Sequence, residues 1–159
     1  MATVVTYKLT GSGWATCALE IDGQAIVTRA SYLSDALASL LQSVVDLLKG
    51  QAEATASFDE EPGEYRWRFQ RVDAQHVALR ILWFDELWSH APDEQGRVVF
   101  ESQCRLRTLA GAVLSASQQL LAEHGFDGYK EKWVEHDFPC ELQDELKRLL
   151  AEGRRAQNS

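Results

Sequence analysis

The stretch DEEPGEYRWRF, residues 59–69, decides how the chain is read. Asp59, Glu60, Glu61 and Glu64 crowd a Pro-Gly pair; then Tyr65, Trp67 and Phe69 alternate with Arg66 and Arg68. A period of two belongs to a strand with one buried and one solvated face. The Pro-Gly pair suits a tight turn, where Pro presets φ and Gly takes the crowded position. A divalent-cation site is the competing reading, because carboxylate oxygens suit magnesium or calcium. The alternating acids and closing Glu of a calcium loop are absent, however. The stretch therefore reads as a solvated hairpin turn entering a half-buried strand, its acids balancing the arginines. No metal and no cofactor is expected.

The same period continues on both sides. Residues 3–9, 14–21 and 24–29 read as strands, with Cys17, Leu19 and Ile21 on one face. Asp22-Gly23 between the last two is a strong hairpin signal, since both positions tolerate positive φ. Residues 53–58, 64–71, 76–84 and 97–106 read as four strands of an antiparallel meander. Between the two groups the period changes. Leu33, Leu37, Leu40, Leu41, Val44 and Leu48 recur at three and four, one helical stripe, with Ser31 as N-cap and Gly50 as stop. A second helix is predicted over about 107–124, ended by Gly125. Pro139 opens a last helix over 139–152, with Leu142, Leu146 and Leu149 inward. The fold class that follows is α+β: an antiparallel sheet of about seven strands, helices packed on one face, order βββαββββαα. Residues 1–153 form a single domain and 154–159 a frayed tail.

Composition narrows the function. The chain has 159 residues, 24 acids against 16 Lys and Arg, and a net charge of −8. Phosphate backbones are bound by basic clusters, so nucleic acid is an unfavoured partner. A basic protein partner fits better. Three cysteines without a CxxC spacing argue against a disulfide framework or a zinc ribbon. No signal-like segment and no membrane-length apolar run is seen, so a cytoplasmic protein is expected.

Period-two logic also assigns faces. With Tyr65, Trp67, Phe69, Val77, Leu79, Ile81, Trp83, Val98, Phe100 and Cys104 inward, the outer face gathers Arg66, Arg68, Arg80 and Arg105 beside Leu82 and Phe84. Val99, Glu101 and Gln103 join it. Two surfaces are thereby candidates. The first is acidic and aromatic, built from Asp85, Glu86, Trp88, Asp93 and Glu94 in the long loop with Glu60, Glu61 and Glu64 nearby. It suits a protein partner. The alternative is the arginine face, where Arg66, Arg68, Arg80 and Arg105 would hold a small anion or nucleic acid and Phe84 would stack. Cross-strand pairing with Glu64 and Glu101 would disable it.

Catalysis is disfavoured. His136, Asp137 and Cys140 lie together, and a Cys near a helix start can be activated, but no catalytic motif surrounds them. Asp137 as a cap and Cys140 as a small buried residue is the plainer reading. The histidines, His76, His90, His124 and His136, lack metal-ligand spacing, and no nucleotide loop or GxSxG is present.

The phrases GSGWA, SYLSDAL, EEPGEYRW, ILWFDELW, CRLRTLAGAVL and WVEHDFP resemble those of small standalone bacterial proteins with no assigned activity, over most of the chain. That resemblance implies no catalytic residue and no substrate. In general character the chain is also similar to immunity proteins of bacterial toxin systems, which implies blocking of a basic toxin by charge. The expectation is a protein-interaction module, immunity-like or regulatory. Leu82 and Phe84 on an outer face demand a cover: a helix, the segment around Trp133, or a second copy. An internal cover, and so a monomer, is favoured over a homodimer.

Overall fold

The computed structural model describes residues 3–86, 90–133 and 136–158, with side chains as far as Gly153. The elements run β1 (Thr3–Gly11), β2 (Trp14–Ile21), β3 (Gln24–Ser31), α1 (Ala36–Leu48), β4 (Glu53–Asp59), β5 (Glu64–Arg71), β6 (His76–Phe84), β7 (Arg97–Arg105), α2 (Leu106–Trp133) and α3 (Cys140–Asn158), with a short 3-10 turn at Asp93–Gln95. The class is α+β and the order βββαββββαα, as the patterning predicts. The seven strands divide into two antiparallel sheets, β1-β2-β3 and β4-β5-β6-β7. Among the described residues no helix is long and apolar enough to cross a membrane.

The local reasons are those of the sequence. Asp22 and Gly23 both take positive φ, 50° and 86°, closing the β2–β3 hairpin. Cys17, Leu19 and Ile21 are buried, as are Trp67, Phe69, Val77, Leu79, Ile81 and Phe100. They join the inner stripe of α1 in one core, which α2 and α3 close. Buried Gln143 of α3 donates to Ser117 Oγ of α2 at 3.1 Å.

Three element ends differ from expectation. Ser31 finishes β3 instead of capping α1. The cap position falls at Asp35, whose carbonyl accepts the Ser39 N–H at 2.9 Å. Gly50 does stop α1, with φ 106°. Gly125 breaks α2 at φ 69°, ψ 175°, yet the chain turns helical again as far as Trp133. The segment after Gly125 is thus partly a helical stub, anchored where the Gly13 N–H meets the Lys132 carbonyl at 2.6 Å. α3 continues to Asn158, past the end of its apolar pattern.

The edge strand β4 is blunted by serines. Ser39 Oγ accepts from the Ser57 N–H and Ser34 Oγ from the Asp59 N–H, each at 3.0 Å. An edge satisfied this way is a poor template for another strand.

One face assignment is overturned. β7 carries an extra residue between the pairs Ile81–Phe100 and Leu82–Val98. Residues directly opposite share a face, so this bulge puts Val98 outside with Leu82, 47% exposed, and turns Val99 toward the core. Both had been expected on the opposite face.

Candidate functional site: the acidic end of the four-stranded sheet

In an antiparallel meander the β4–β5 turn and the β6–β7 loop lie at the same end of the sheet. Both candidate acidic segments are therefore neighbours, and Glu64 pairs directly with Phe84 across the strands. The turn is closed by Glu60 N–H to the Gly63 carbonyl at 2.8 Å. Gly63 does not need an unusual φ. Its role is close approach, because a Cβ there would run into the Phe84 carbonyl and the Trp83 ring.

The outer face is where the long loop acts. Arg66 donates to the Ala91 carbonyl at 2.8 Å and to Asp93 at 2.9 Å, and lies 3.5 Å from Glu64. Arg68 Nε reaches the other Asp93 oxygen at 2.9 Å, and Arg80 stands 3.7 Å from it. One carboxylate thus joins three guanidinium groups from two strands. The Arg66 guanidinium also lies 4.1 Å above the Phe84 ring. Gly96 packs against the other atoms of that ring so closely that a Cβ would collide with it. Phe84 is 4% exposed and Leu82 1%.

The cover over Phe84 is therefore a part of the chain that is none of the three covers foreseen. It is the β6–β7 loop itself. Trp133 is buried in the core, and its segment meets the β1–β2 turn.

These contacts sort the predicted residues. Asp93 and Glu64 are committed to arginines, and Glu60 pairs with Arg29 at 2.7 Å. Glu61, Asp85, Glu86 and Glu94 are exposed at the same end. Trp88 lies outside the described residues. Of the arginine face, Arg66 and Phe84 are enclosed and offer no stacking surface. Arg68 and Arg80 line a hollow of about 300 Å³, but Glu53 and Glu101 line it with them. Arg105 is paired with His76, toward the far end of the sheet, and is not part of this group.

Two residues expected in the core mark the site instead. Tyr65 and Trp83 are half-buried, their rings 4.9 Å apart. They line a shallow groove of about 510 Å³ between the sheets with Ile26, Val27, Arg97 and Val99. Trp83 Nε1 donates to Asp85 at 2.8 Å. Burial, and then the neighbouring Glu60 carboxylate, push the Tyr65 hydroxyl pKa up. Period-two reading gives the direction of both side chains correctly. It misses that the core ends before they do, and the shift of Val99 into this groove depends on the bulge.

The His136–Cys140 segment is placed otherwise than a catalytic pair requires. His136 Nε2 contacts the Tyr32 carbonyl at 3.1 Å and Nδ1 lies 3.7 Å from Asp35. Asp137 pairs with Lys130 at 3.3 Å and caps nothing. The first bond of α3 runs instead from Gln143 N–H to the Pro139 carbonyl at 3.1 Å. Cys140 is exposed, not buried. Burial pushes the Asp35 carboxyl up, opposed by His136 and the Ala38 amide. Cys17 and Cys104 are pushed up to about 12 and about 11 by burial. Neither is an activated thiol. Among the described residues no cluster of His, Cys, Asp and Glu is grouped to hold a metal ion.

No protein-family model and no curated protein matches the chain. Among solved structures it is similar to a chain from the CdiA-CT/CdiI toxin and immunity complex of Enterobacter cloacae. The identity is 10%, over 73% of this chain and 99% of that one, with a TM-score of 0.49.

Proposed function

We propose that the protein is a cytoplasmic protein-interaction module, immunity-like or regulatory, that binds a basic partner protein through the acidic end of its four-stranded sheet. The observation that supports this reading best is the half-exposed Tyr65–Trp83 pair, with Asp85 bonded to Trp83 and Glu60 and Arg97 lining the same groove, at the end of the sheet where Glu61, Glu86 and Glu94 are also exposed. Amphipathic aromatics at the centre of a patch, ringed by charge, have the composition of an interface hot spot. A lysine or arginine of the partner would stack on these rings, and the surrounding carboxylates would steer its approach. In this reading the module acts as a monomer, which the loop's cover over Phe84 supports.

The test is a co-purification from the native organism with wild-type, Trp83→Ala and Glu61→Lys/Glu86→Lys baits, followed by titration of the purified pair. A stoichiometric complex is expected. Its affinity should fall at least about tenfold on Trp83→Ala. It should also weaken as salt rises. A complex indifferent to both changes, or no stoichiometric partner at all, would sink the reading.

A further inference from the structure

The opposite end of the same sheet carries the reverse charge. The β5–β6 turn, the end of β7 and the start of α2 enclose a hollow of about 260 Å³ lined by Arg71, Arg105, Arg107, Gln75, Leu48 and Leu106. No carboxylate lines it among the described residues.

Among the described residues none of the three arginines forms an ion pair. Arg71 donates Nη1 to the Ala74 carbonyl at 3.1 Å and Nη2 to the Leu47 carbonyl at the end of α1. Its Nε is buried without a partner. Arg107 donates Nη2 to the Leu150 carbonyl at 2.6 Å, an approach possible because residue 153 is glycine. Arg105 is exposed and has no ion-pair partner among the described residues. Carbonyls orient guanidinium groups without cancelling their charge.

The backbone adds to this. α2 starts immediately after Arg105, and its first turn contains no acid. The Leu106 amide donates to the Gln75 carbonyl at 2.9 Å, and the following amides of that turn lack intrahelical acceptors and carry the positive end of the helix dipole. Two acids stand near this end of the sheet. Asp73 accepts from the Gln75 and His76 amides, both at 2.8 Å, and contacts the His76 ring. Asp22 lines the adjoining hollow together with Arg105, His76 and Thr108 but forms no ion pair with Arg105.

We propose that this hollow is an anion site that takes a phosphate group, either free or as the monoester of a small molecule. Guanidinium groups match phosphate oxygens in paired hydrogen bonds, and a dianion answers a cluster of three better than a single carboxylate does. Leu48 and Leu106 supply an apolar floor for an organic substituent. The site is independent of the protein-binding reading, since it lies at the other end of the sheet and shares no residue with it.

The experiment is a backbone-amide NMR titration with inorganic phosphate at constant ionic strength, chloride making the balance, repeated with phenyl phosphate. Saturable shifts are expected at Gln75, Arg105, Arg107 and Thr108, with a dissociation constant of about 1 mM or tighter. Arg105→Gln removes a charge that forms no ion pair among the described residues, so the fold should persist while phosphate affinity drops at least about tenfold. Tighter binding of phenyl phosphate than of phosphate assigns the site to a monoester; equal binding assigns it to the free anion. Shifts that never saturate, that centre on Arg68 and Arg80, or that survive Arg105→Gln unchanged would overturn the proposal.

Discussion

The two ends of the four-stranded sheet are built from the same strands and carry opposite chemistry. At the acidic end, arginines from the strands are met by a carboxylate brought by a loop. Asp93 contacts Arg66, Arg68 and Arg80, and the loop that carries it closes over Phe84. At the basic end, Arg71 and Arg107 are met by backbone carbonyls, and Arg105 forms no ion pair among the described residues, although Asp22 lines an adjoining hollow with it. The difference is instructive. An arginine answered by a carboxylate is part of the structure, and its charge is locally cancelled. An arginine held by a carbonyl is positioned but still charged, so it remains able to bind an anion. Arginine content alone therefore says little about ligand binding; the partner of each guanidinium decides.

This contrast can be broken by substitution. The largest effect is expected at the aromatic under the loop. Phe84→Ala should lower unfolding free energy by about 3 kcal/mol, because it empties a well-packed site beneath Gly96 and Arg66. Urea denaturation measures it, and a loss below about 1 kcal/mol would mean that the loop does not seal the face. Next comes Asp93→Asn. Three guanidinium groups would then share a neutral amide, at an expected cost of about 2 kcal/mol. The same variant should acquire weak phosphate shifts at Arg68 and Arg80, turning the outer face into a poorer copy of the basic end. Combining it with Arg66→Gln should cost less than the sum of the single changes, by about 1 kcal/mol. Strict additivity would show that Asp93 and Arg66 do not act as one unit. The smallest effect is expected at the basic end. Arg105→Gln should change stability by no more than about 0.5 kcal/mol. It should nevertheless remove the rise in melting temperature that phosphate gives the wild-type protein. A large loss of stability would place Arg105 among the structural arginines and erase the contrast.

Much of the fold was legible because strands and helices leave different periods in the sequence. Cys17, Leu19 and Ile21 were read as one face and are buried together. Asp22-Gly23 was read as a hairpin and takes the positive φ values that a two-residue turn needs. Of the predicted stripe, Leu37, Leu40, Leu41 and Val44 are buried, while Leu48 is half-buried and Leu33 lies ahead of α1. The site was less legible. Asp93 is distant in sequence from Arg66, Arg68 and Arg80, and a solvated acid in a polar loop looks the same as one that clamps three arginines. Tyr65 and Trp83 carried the right alternation for the core, but alternation does not say where along a strand the cover stops. Val98 and Val99 exchanged faces because one extra residue in β7 shifts the register, and either valine satisfies a period-two pattern equally well.

The sequence by itself determined the α+β class, the element order, the two-residue hairpin and the net negative charge, since each follows from local conformational preference, periodicity or counting. Tertiary structure alone decided that the seven strands split into two sheets and that the long loop, not a helix or a second copy, covers Phe84. It also decided that Arg105 joins Arg71 and Arg107 instead of Arg66 and Arg68. The physical reason is common to all three. Each depends on which groups far apart in the chain come within a few ångströms, and on whether a charge there meets a carboxylate, a carbonyl or open solvent.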